Sequence, residues 1–262
     1  MIISHTRKFI FIHPHRCGGT SITNSLLPYL GDEDEVYGCT REGEVLSEKN
    51  RLKNIKKYNR EQGGFPWKHL TAKFAKEYVG DEIWDKYFKF TFIRSPWEIH
   101  LSNYSWWKNS KGWDPAPKDF FYRQEKIKQM TYAEYVRSDE IWPHTLIDFA
   151  TENRNLQAPP TDVFGRPDSI TNLRTGINFI GRCEKIKSDF SYLCGRLGLP
   201  NIPIGFSNVS RDLGGRKHHL DYLAKDEKAK SILRKKHKFD IKYFKYTENF
   251  SEYDAKWDFY MN

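Results

Sequence analysis

The feature of this sequence that most restricts its fold is a pattern that occurs twice: a short apolar strand, a polar turn and the start of a helix. In the first copy, β-branched and aromatic residues fill positions 8–13 and end at Pro14. In the second, the strand-like residues 88–93 lead to Ser95 and Pro96, a helix cap followed by a first-turn proline. This repetition predicts an α/β fold whose ligands bind at the carboxyl ends of the strands.

The rest of the chain adds one strand and several helices to this expectation. The third strand is predicted over residues 177–181. Helices are predicted after the first turn up to Pro28, from Pro96 to Trp107, and over residues 71–79, 81–87, 132–136, 187–197 and 220–246. Residues 31–64, 207–217 and most of 108–174 are predicted to be irregular, because polar residues, glycines and prolines interrupt them. No repeat or linker divides the chain, so residues 1–262 are predicted to form a single domain.

The charge of the chain favours an anionic partner. Lysine and arginine number 43 against 34 aspartates and glutamates, a formal net charge of +9. Nucleotide phosphates, nucleic acid, a sulfated glycan and an anionic membrane surface all satisfy this surplus, and the charge does not choose among them. Hydrophobic residues make up 38% of the chain, which predicts a folded protein rather than a disordered one.

The cysteines and apolar segments indicate the compartment. The four cysteines form no CxxC pair and no metal-binding spacing with histidine, so free thiols in a reducing compartment are expected. No apolar run approaches the length of a membrane span, so stable membrane insertion is not expected. Without a signal peptide in this sequence, the expected location is the cytoplasm.

The first turn has the composition of a phosphate-binding loop. Gly18 and Gly19 allow the backbone to approach an anion closely, and the first amides of the following helix point outward. Arg16 adds a forked cation, and Thr20 and Ser21 add hydroxyl donors. The turn is not a Walker A loop, because a lysine would have to precede the hydroxyl residue where Gly19 stands. An ordinary P-loop kinase or ATPase is therefore disfavoured.

A second anion-binding group follows the second strand. Arg94 comes directly after that strand, and Ser102 lies eight residues further on, about two helical turns. Such a pair can converge on one phosphate. An arginine in a surface salt bridge and a serine on an exposed helix face would have the same spacing.

Four segments together resemble sulfotransferases that use 3′-phosphoadenosine 5′-phosphosulfate (PAPS). FIFIHPHRCGGTSI is similar to their 5′-phosphosulfate-binding motif, and FKFTFIRSPWEIHLSNY to their 3′-phosphate-binding motif. NFIGRCEKIKSDF, and NVSRDLGGRKHHLDYL followed by DIKYFKY, are similar to later segments of the same family. The branch resembled contains heparan and chondroitin sulfotransferases and their bacterial relatives. The resemblance implies a P-loop-like three-layer fold, with a central parallel sheet flanked by helices, and sulfuryl transfer from PAPS to a hydroxyl group.

The resemblance also implies roles for individual residues. Arg16 stands where the family usually has its catalytic lysine, and Cys17 where it usually has threonine. Arg94 and Ser102 match the pair that binds the 3′-phosphate. The implied donor-binding set is Arg16, Cys17, Gly18, Gly19, Thr20, Ser21, Arg94, Ser102, Arg182, Arg216 and Lys217. Within it, Arg216 and Lys217 would close over the nucleotide, and Arg182 could be purely structural.

His69 is the predicted catalytic base. Its position resembles that of the histidine which takes the proton from the acceptor hydroxyl in this branch, and a neutral imidazole suits that step. His69 could instead cap the helix that follows it. Rival histidines are His13, His15, His218 and His219. With Arg16 stabilising charge on the departing phosphate and PAP (adenosine 3′,5′-bisphosphate) as product, the mechanism requires no metal, and none is predicted.

Two other functions stay open, and the acceptor is only broadly defined. A P-loop kinase-like phosphotransferase would use a similar strand–turn–helix, and a non-enzymatic polyanion-binding protein would use the basic C-terminal segment. The expected acceptor is a glycan or glycolipid rather than a nucleic acid, with residues 108–174 shaping its pocket. Trp106, Trp107 and Trp113 could stack on a sugar, but are predicted to be core residues. The sequence does not indicate an oligomeric state.

Overall fold

The computed structural model describes residues 1–37, 68–110, 118–141, 145–150, 176–205, 220–221 and 223–248. The chain divides into two compact units, and each unit combines two separate stretches of sequence. The first unit is Met1–Ile93 with Leu146–Asn208, and the second is Arg94–Thr145 with Val209–Asn262. The single domain over residues 1–262 stays a prediction.

The first unit is built on a mixed sheet. Its strands in the described residues are β1 (Ile2–Ser4), β2 (Phe9–Ile12), β3 (Glu35–Val36), β4 (Phe88–Ile93) and β5 (Phe179–Arg182), in the order β3-β1-β2-β4-β5. β2, β4 and β5 are parallel, whereas β1 pairs antiparallel with both β2 and β3. The α/β class and the parallel centre of the sheet are confirmed. The sequence did not predict β1 and β3, which make the sheet mixed.

Helices flank the sheet and form the second unit. In the described residues they are α1 (Gly19–Leu26), α2 (Ala72–Val79), α3 (Asp81–Lys86), α4 (Pro96–Asn109), α5 (Lys118–Lys128), α6 (Tyr132–Arg137), α7 (Ile147–Ala150), α8 (Ile186–Arg196), α9 (Glu227–Lys236) and α10 (Lys238–Phe244). Short 3₁₀ turns follow α1 at Leu27–Tyr29 and β5 at Cys183–Lys185. None of the described helices is both long and apolar enough to cross a membrane.

Some predicted boundaries were wrong, for local physical reasons. α1 ends at Leu26, and Pro28 lies inside the 3₁₀ turn that follows, where its missing N–H costs little. The segment predicted as mostly irregular contains α5 and α7, because the charged sequence of α5 hides an apolar face with Phe120 and Ile127 buried. The predicted C-terminal helix is broken between α9 and α10 at His237.

Aromatic rings fill the core of the first unit. Phe11 on β2 stacks on Phe90 of β4, with 4.9 Å between the ring centroids. A Cβ added to Gly181 of β5 would lie 2.4 Å from the ring of Phe92, so only glycine allows the two strands to pack as they do. Large rings on neighbouring strands thus hold the parallel part of the sheet together.

A separate apolar cluster forms the core of the second unit. It contains Trp97 from α4, Phe120 from α5 and Tyr135 from α6. Trp107 belongs to this cluster, which confirms the prediction that it is a core residue. Trp106 is partly buried and packs against the cluster, and Trp113 lies outside the described residues. The core packing of Trp107 argues against its stacking on an acceptor sugar.

A hydrogen-bonded chain of polar side chains is buried in the second unit. Nε2 of His100 on α4 lies 2.6 Å from Nε2 of His237, and Nδ1 of His237 lies 2.5 Å from Oδ2 of Asp240. His100, His237 and Asp240 are each at most 1% exposed. These hydrogen bonds hold the break between α9 and α10 against α4.

Candidate active site

The carboxyl ends of three parallel strands meet at one edge of the sheet in the first unit. Ile12 pairs with Thr91, and Ile93 pairs with Arg182, so β2, β4 and β5 end close together. The Thr91 hydroxyl donates a 3.0 Å hydrogen bond to the Ile12 carbonyl and ties two of these ends. Ligands of α/β proteins bind at this edge, where the loops after the strands carry polar side chains.

The turn after β2 has the backbone of an anion-binding loop. It enters the left-handed region twice, at Arg16 (φ 59°) and at Gly18 (φ 71°). A non-glycine residue in that region is held under strain, which recurs at functional sites. α1 then begins at Gly19 with no side-chain cap and no acidic residue in its first turn. Its first amides and its positive dipole end therefore favour a bound anion.

The side chains of this turn differ in their exposure to solvent. The side chain of Cys17 is fully buried and that of Ser21 is 5% exposed, whereas Arg16 and Thr20 are half-buried. The Cys17 thiol is therefore not exposed at the surface of the turn. Cys17, Cys183 and Cys194 form no disulfide in the described part of the chain, and Cys39 lies outside the described residues.

His13 packs directly against the turn. Its ring is 2% exposed and stacks on Phe11 with 5.4 Å between centroids. A Cβ on Gly19 would lie 2.1 Å from the His13 ring, so glycine is required where α1 begins. Burial lowers the pKa of His13 well below its usual value, which keeps this imidazole neutral. The structure thus gives His13 a packing role beside the turn.

His69 lies beside the same turn. Its Nδ1 is 2.8 Å from the His13 carbonyl oxygen, which can only accept, so Nδ1 carries the proton and Nε2 of the neutral ring carries the lone pair. Its ring stacks on His15, with centroids 3.4 Å apart, and meets His13 edge-on at 4.8 Å. Burial, and to a lesser degree the His15 imidazole, lower the pKa of His69. The predicted base is therefore neutral, with its tautomer fixed.

Lys68 was not among the predicted site residues. Its ammonium donates a 3.5 Å hydrogen bond to Oγ1 of Thr20 in the first turn of α1. The two residues are 48 positions apart in the sequence. No local pattern links them, so only the folded chain shows that a lysine side chain reaches the turn.

In the second unit, the predicted 3′-phosphate pair is divided between the residue before the N-cap of α4, Arg94, and the helix itself, which contains Ser102. Arg94, Glu98 and Ser102 are spaced by four residues, and all are buried, with 8%, 0% and 7% exposure. Nε of Arg94 lies 3.4 Å from Oε2 of Glu98, and the pair forms a buried salt bridge that orients the guanidinium. Glu98 was not predicted, although its spacing from Arg94 is the spacing of helical ion pairs.

Of the remaining predicted donor-binding residues, one lies at the end of a strand and two lie outside the described residues. Arg182 ends β5 in the first unit, and its backbone N–H donates a 2.7 Å hydrogen bond to Oδ2 of Asp189. Arg216 and Lys217 lie outside the described residues, as do His218 and His219. The described part of the chain contains no group of three or more metal-ligating side chains that could hold a metal ion.

Comparisons with known proteins agree with this arrangement. A family model with the description "Sulfotransferase family" matches residues 1–247. An uncharacterized protein of Archaeoglobus fulgidus is 23% identical over 131 residues, which cover 50% of this chain and 84% of that protein.

Proposed function

Because this chain belongs to the sulfotransferase family, we propose that it transfers a sulfuryl group from PAPS to a hydroxyl group of a carbohydrate or glycoconjugate. The observation that supports this function most is the turn between β2 and α1, with His69 beside it. The His69 ring is neutral, and its tautomer is fixed by the hydrogen bond to the His13 carbonyl. The turn offers an anion site, and the histidine offers a proton acceptor next to that site.

The donor is proposed to bind through its two phosphate-bearing ends. The backbone amides at the start of α1, with Arg16 and Thr20, bind the 5′-phosphosulfate, because the uncapped helix end has no acidic residue in its first turn. Arg94 and Ser102 bind the 3′-phosphate, with Glu98 orienting the guanidinium. The motifs around these residues resemble the corresponding motifs of PAPS-dependent enzymes, which supports PAPS as the donor.

The proposed reaction is an in-line displacement at sulfur. The acceptor oxygen attacks as its proton passes to Nε2 of His69, and a new S–O bond forms. The bond between sulfur and the 5′-phosphate oxygen breaks, and its electron pair stays on that oxygen, which leaves PAP as product. Arg16 and the amides of α1 stabilise this growing negative charge.

The depressed pKa of His69 fits a base that becomes stronger when the donor binds. In the described structure, burial and neighbouring positive or titratable groups oppose its protonation. The negative charges of a phosphosulfate at the turn would raise the pKa of His69, because they favour its protonated form. The bound donor thus prepares the base for proton transfer in the same complex where transfer occurs.

The carbohydrate acceptor is supported by resemblance to the branch that contains heparan and chondroitin sulfotransferases. Glycans and glycolipids present many hydroxyl groups, and the basic character of the chain suits an anionic acceptor. The polyanion-binding alternative requires no chemistry and assigns no role to His69. The kinase alternative requires ATP in place of PAPS.

Incubation with donor carrying ³⁵S, together with glycan, glycolipid and phenolic acceptors, tests this function. We expect label on a glycan or glycolipid, and PAP should bind more tightly than ATP. Label confined to phenols would overturn the carbohydrate acceptor. Absence of transfer to every acceptor, together with tighter binding of ATP, would overturn sulfuryl transfer and favour the kinase alternative.

A further inference from the structure

We propose that Lys68 is a donor-binding residue whose ammonium stabilises the negative charge of the 5′-phosphosulfate and of the departing 5′-phosphate. The inference rests on the proposed function and adds a residue to the same site. It concerns a side chain that neither the sequence motifs nor the resemblance singles out.

The position of the Lys68 side chain supports this role. Its ammonium is 3.5 Å from Oγ1 of Thr20, in the first turn of α1. Thr20 directly follows Gly19, where the helix begins. An ammonium at this distance from the turn can reach an oxygen of any anion held by the first amides of the helix.

The electrostatics of the described structure also favour an anion here. A cation near a helix N-terminus meets the positive end of the dipole, which is unfavourable. The first turn of α1 carries no acidic residue, and Lys68 forms no salt bridge with a carboxylate in the part of the chain that the structure describes. The ammonium also opposes protonation of His13 and His69, whose pKa values it helps to lower. A bound phosphosulfate would offset these repulsions, because its negative charge attracts each of the positive groups.

The turn contributes one cationic side chain, an arginine, and Lys68 would add a second cation of a different kind. The turn itself contains Arg16 and no lysine. An arginine fork suits two oxygens in one plane, whereas a lysine is a compact charge that can follow one oxygen as charge grows on it. During transfer, the S–O bond to the 5′-phosphate breaks and its electron pair stays on the phosphate oxygen. Lys68 donates a hydrogen bond to that group and keeps its own proton, so the reaction stays balanced.

Ligand pairs separate an electrostatic role of Lys68 from a structural one. PAP carries both phosphates, whereas adenosine 3′-monophosphate lacks the 5′-phosphate near which Lys68 is proposed to lie. We expect Lys68→Met to weaken binding of PAP by about 10- to 100-fold, the usual range for a hydrogen bond to a charged group, and to leave adenosine 3′-monophosphate binding unchanged. The loss in kcat should be at least as large, because the charge grows in the transition state.

Two further variants control the experiment. Lys68→Arg keeps the charge and should restore most of the PAP affinity. Lys73→Met removes an exposed lysine of α2 whose ammonium lies 3.8 Å from Glu77, and it should change neither ligand. Calorimetric titration gives the affinities, and thermal melting confirms that each variant is folded. If Lys68→Met does not fold, Lys68→Gln, which keeps a polar side chain, takes its place.

The outcomes distinguish this inference from the function on which it rests. If the wild-type chain neither transfers label nor binds PAP, the proposed function fails, and the role of Lys68 fails with it. If the wild-type chain is active but Lys68→Met binds both nucleotides as before, the role of Lys68 is wrong and the function stands. Equal weakening of both nucleotides would indicate a structural role and would also overturn the inference.

Discussion

Two groups of histidines, one in each unit, use the same side chain in different ways. Beside the turn, His69 has its Nδ1 bonded to a backbone carbonyl and its ring stacked on His15. In the second unit, His100 and His237 form a buried chain that ends on the Asp240 carboxylate. Both groups contain imidazoles with lowered pKa values, namely His69 and His100.

The difference between the two groups lies in what the second nitrogen does. The Asp240 carboxylate accepts from Nδ1 of His237, and Nε2 of His237 shares a second hydrogen bond with Nε2 of His100. Both ring nitrogens of His237 therefore have partners inside the core, and we expect this hydrogen-bonded group to have a structural role. At the turn, the carbonyl partner fixes one nitrogen of His69 and leaves the lone pair on the other. A depressed pKa alone therefore does not identify a base; the hydrogen-bond partner does.

The largest effect should come from His69→Ala. The variant removes the proposed base, so kcat should fall by about 10²- to 10⁴-fold, while the affinity for PAP stays nearly unchanged. Transfer of ³⁵S label and calorimetric titration measure the two quantities. His13 and His15 remain in this variant. Full turnover would show that His69 is not the base, and that His13, His15 or a residue other than these histidines takes the proton.

The counterpart in the second unit is His237→Ala. Removing this imidazole leaves the Asp240 carboxylate and the His100 ring buried without their shared partner, so the free energy of unfolding should fall by about 3 kcal/mol. Turnover per folded molecule should change little. Urea unfolding measures the stability, and Lys238→Ala, an exposed neighbour, serves as control. Wild-type stability in His237→Ala would contradict a structural role for the chain.

Acid should weaken the fold through the buried histidines. The pKa values of His13 and His100 are lowered in the folded chain, whereas the unfolded chain has the ordinary value of 6.5. Below pH 6.5 these histidines are protonated in the unfolded chain but stay neutral in the folded chain. The free energy of unfolding is therefore largest above pH 6.5 and falls as the pH decreases. We expect a loss of about 3 kcal/mol between pH 7.5 and pH 5.5. His100→Gln should reduce the slope, and an unchanged slope would show that His100 does not contribute.

The second unit should nevertheless contribute to donor binding through Arg94. Arg94→Ala should weaken PAP binding by about 10- to 100-fold and leave adenosine 5′-monophosphate binding unchanged, because the latter lacks the 3′-phosphate. Since Glu98 would then be buried without its arginine, the double variant Arg94→Ala/Glu98→Gln separates lost binding from lost stability. Unchanged PAP affinity would remove Arg94 from the donor site.

The parallel strands and the turn were predictable because their signals are local. Residues 88–93 form β4 as predicted, and the glycine-containing turn leads into α1. β3 was not predictable, because it is two residues long and contains the fully buried Glu35. That carboxylate accepts hydrogen bonds from Tyr37 and Tyr78 and bonds to His5, and these partners are known only from the folded chain.

The candidate site shows the same division. The resemblance singled out His69, which stays a proposed base, whereas its tautomer follows from a contact with a carbonyl 56 residues away. The spacing of four between Arg94 and Glu98 could have revealed their salt bridge. Lys68 could not have been predicted, since its approach to Thr20 depends on how the segment before α2 is placed beside α1.

The contact between Gly19 and the His13 ring ties the evolutionary histories of two positions. A methyl group at position 19 would overlap an imidazole that is already packed on Phe11, so alanine at position 19 meets a steric barrier while His13 is present. A descendant of this sequence can reach alanine at position 19 only after position 13 has become smaller. The order in which mutations arise, and not merely their number, therefore limits how far the turn can diverge.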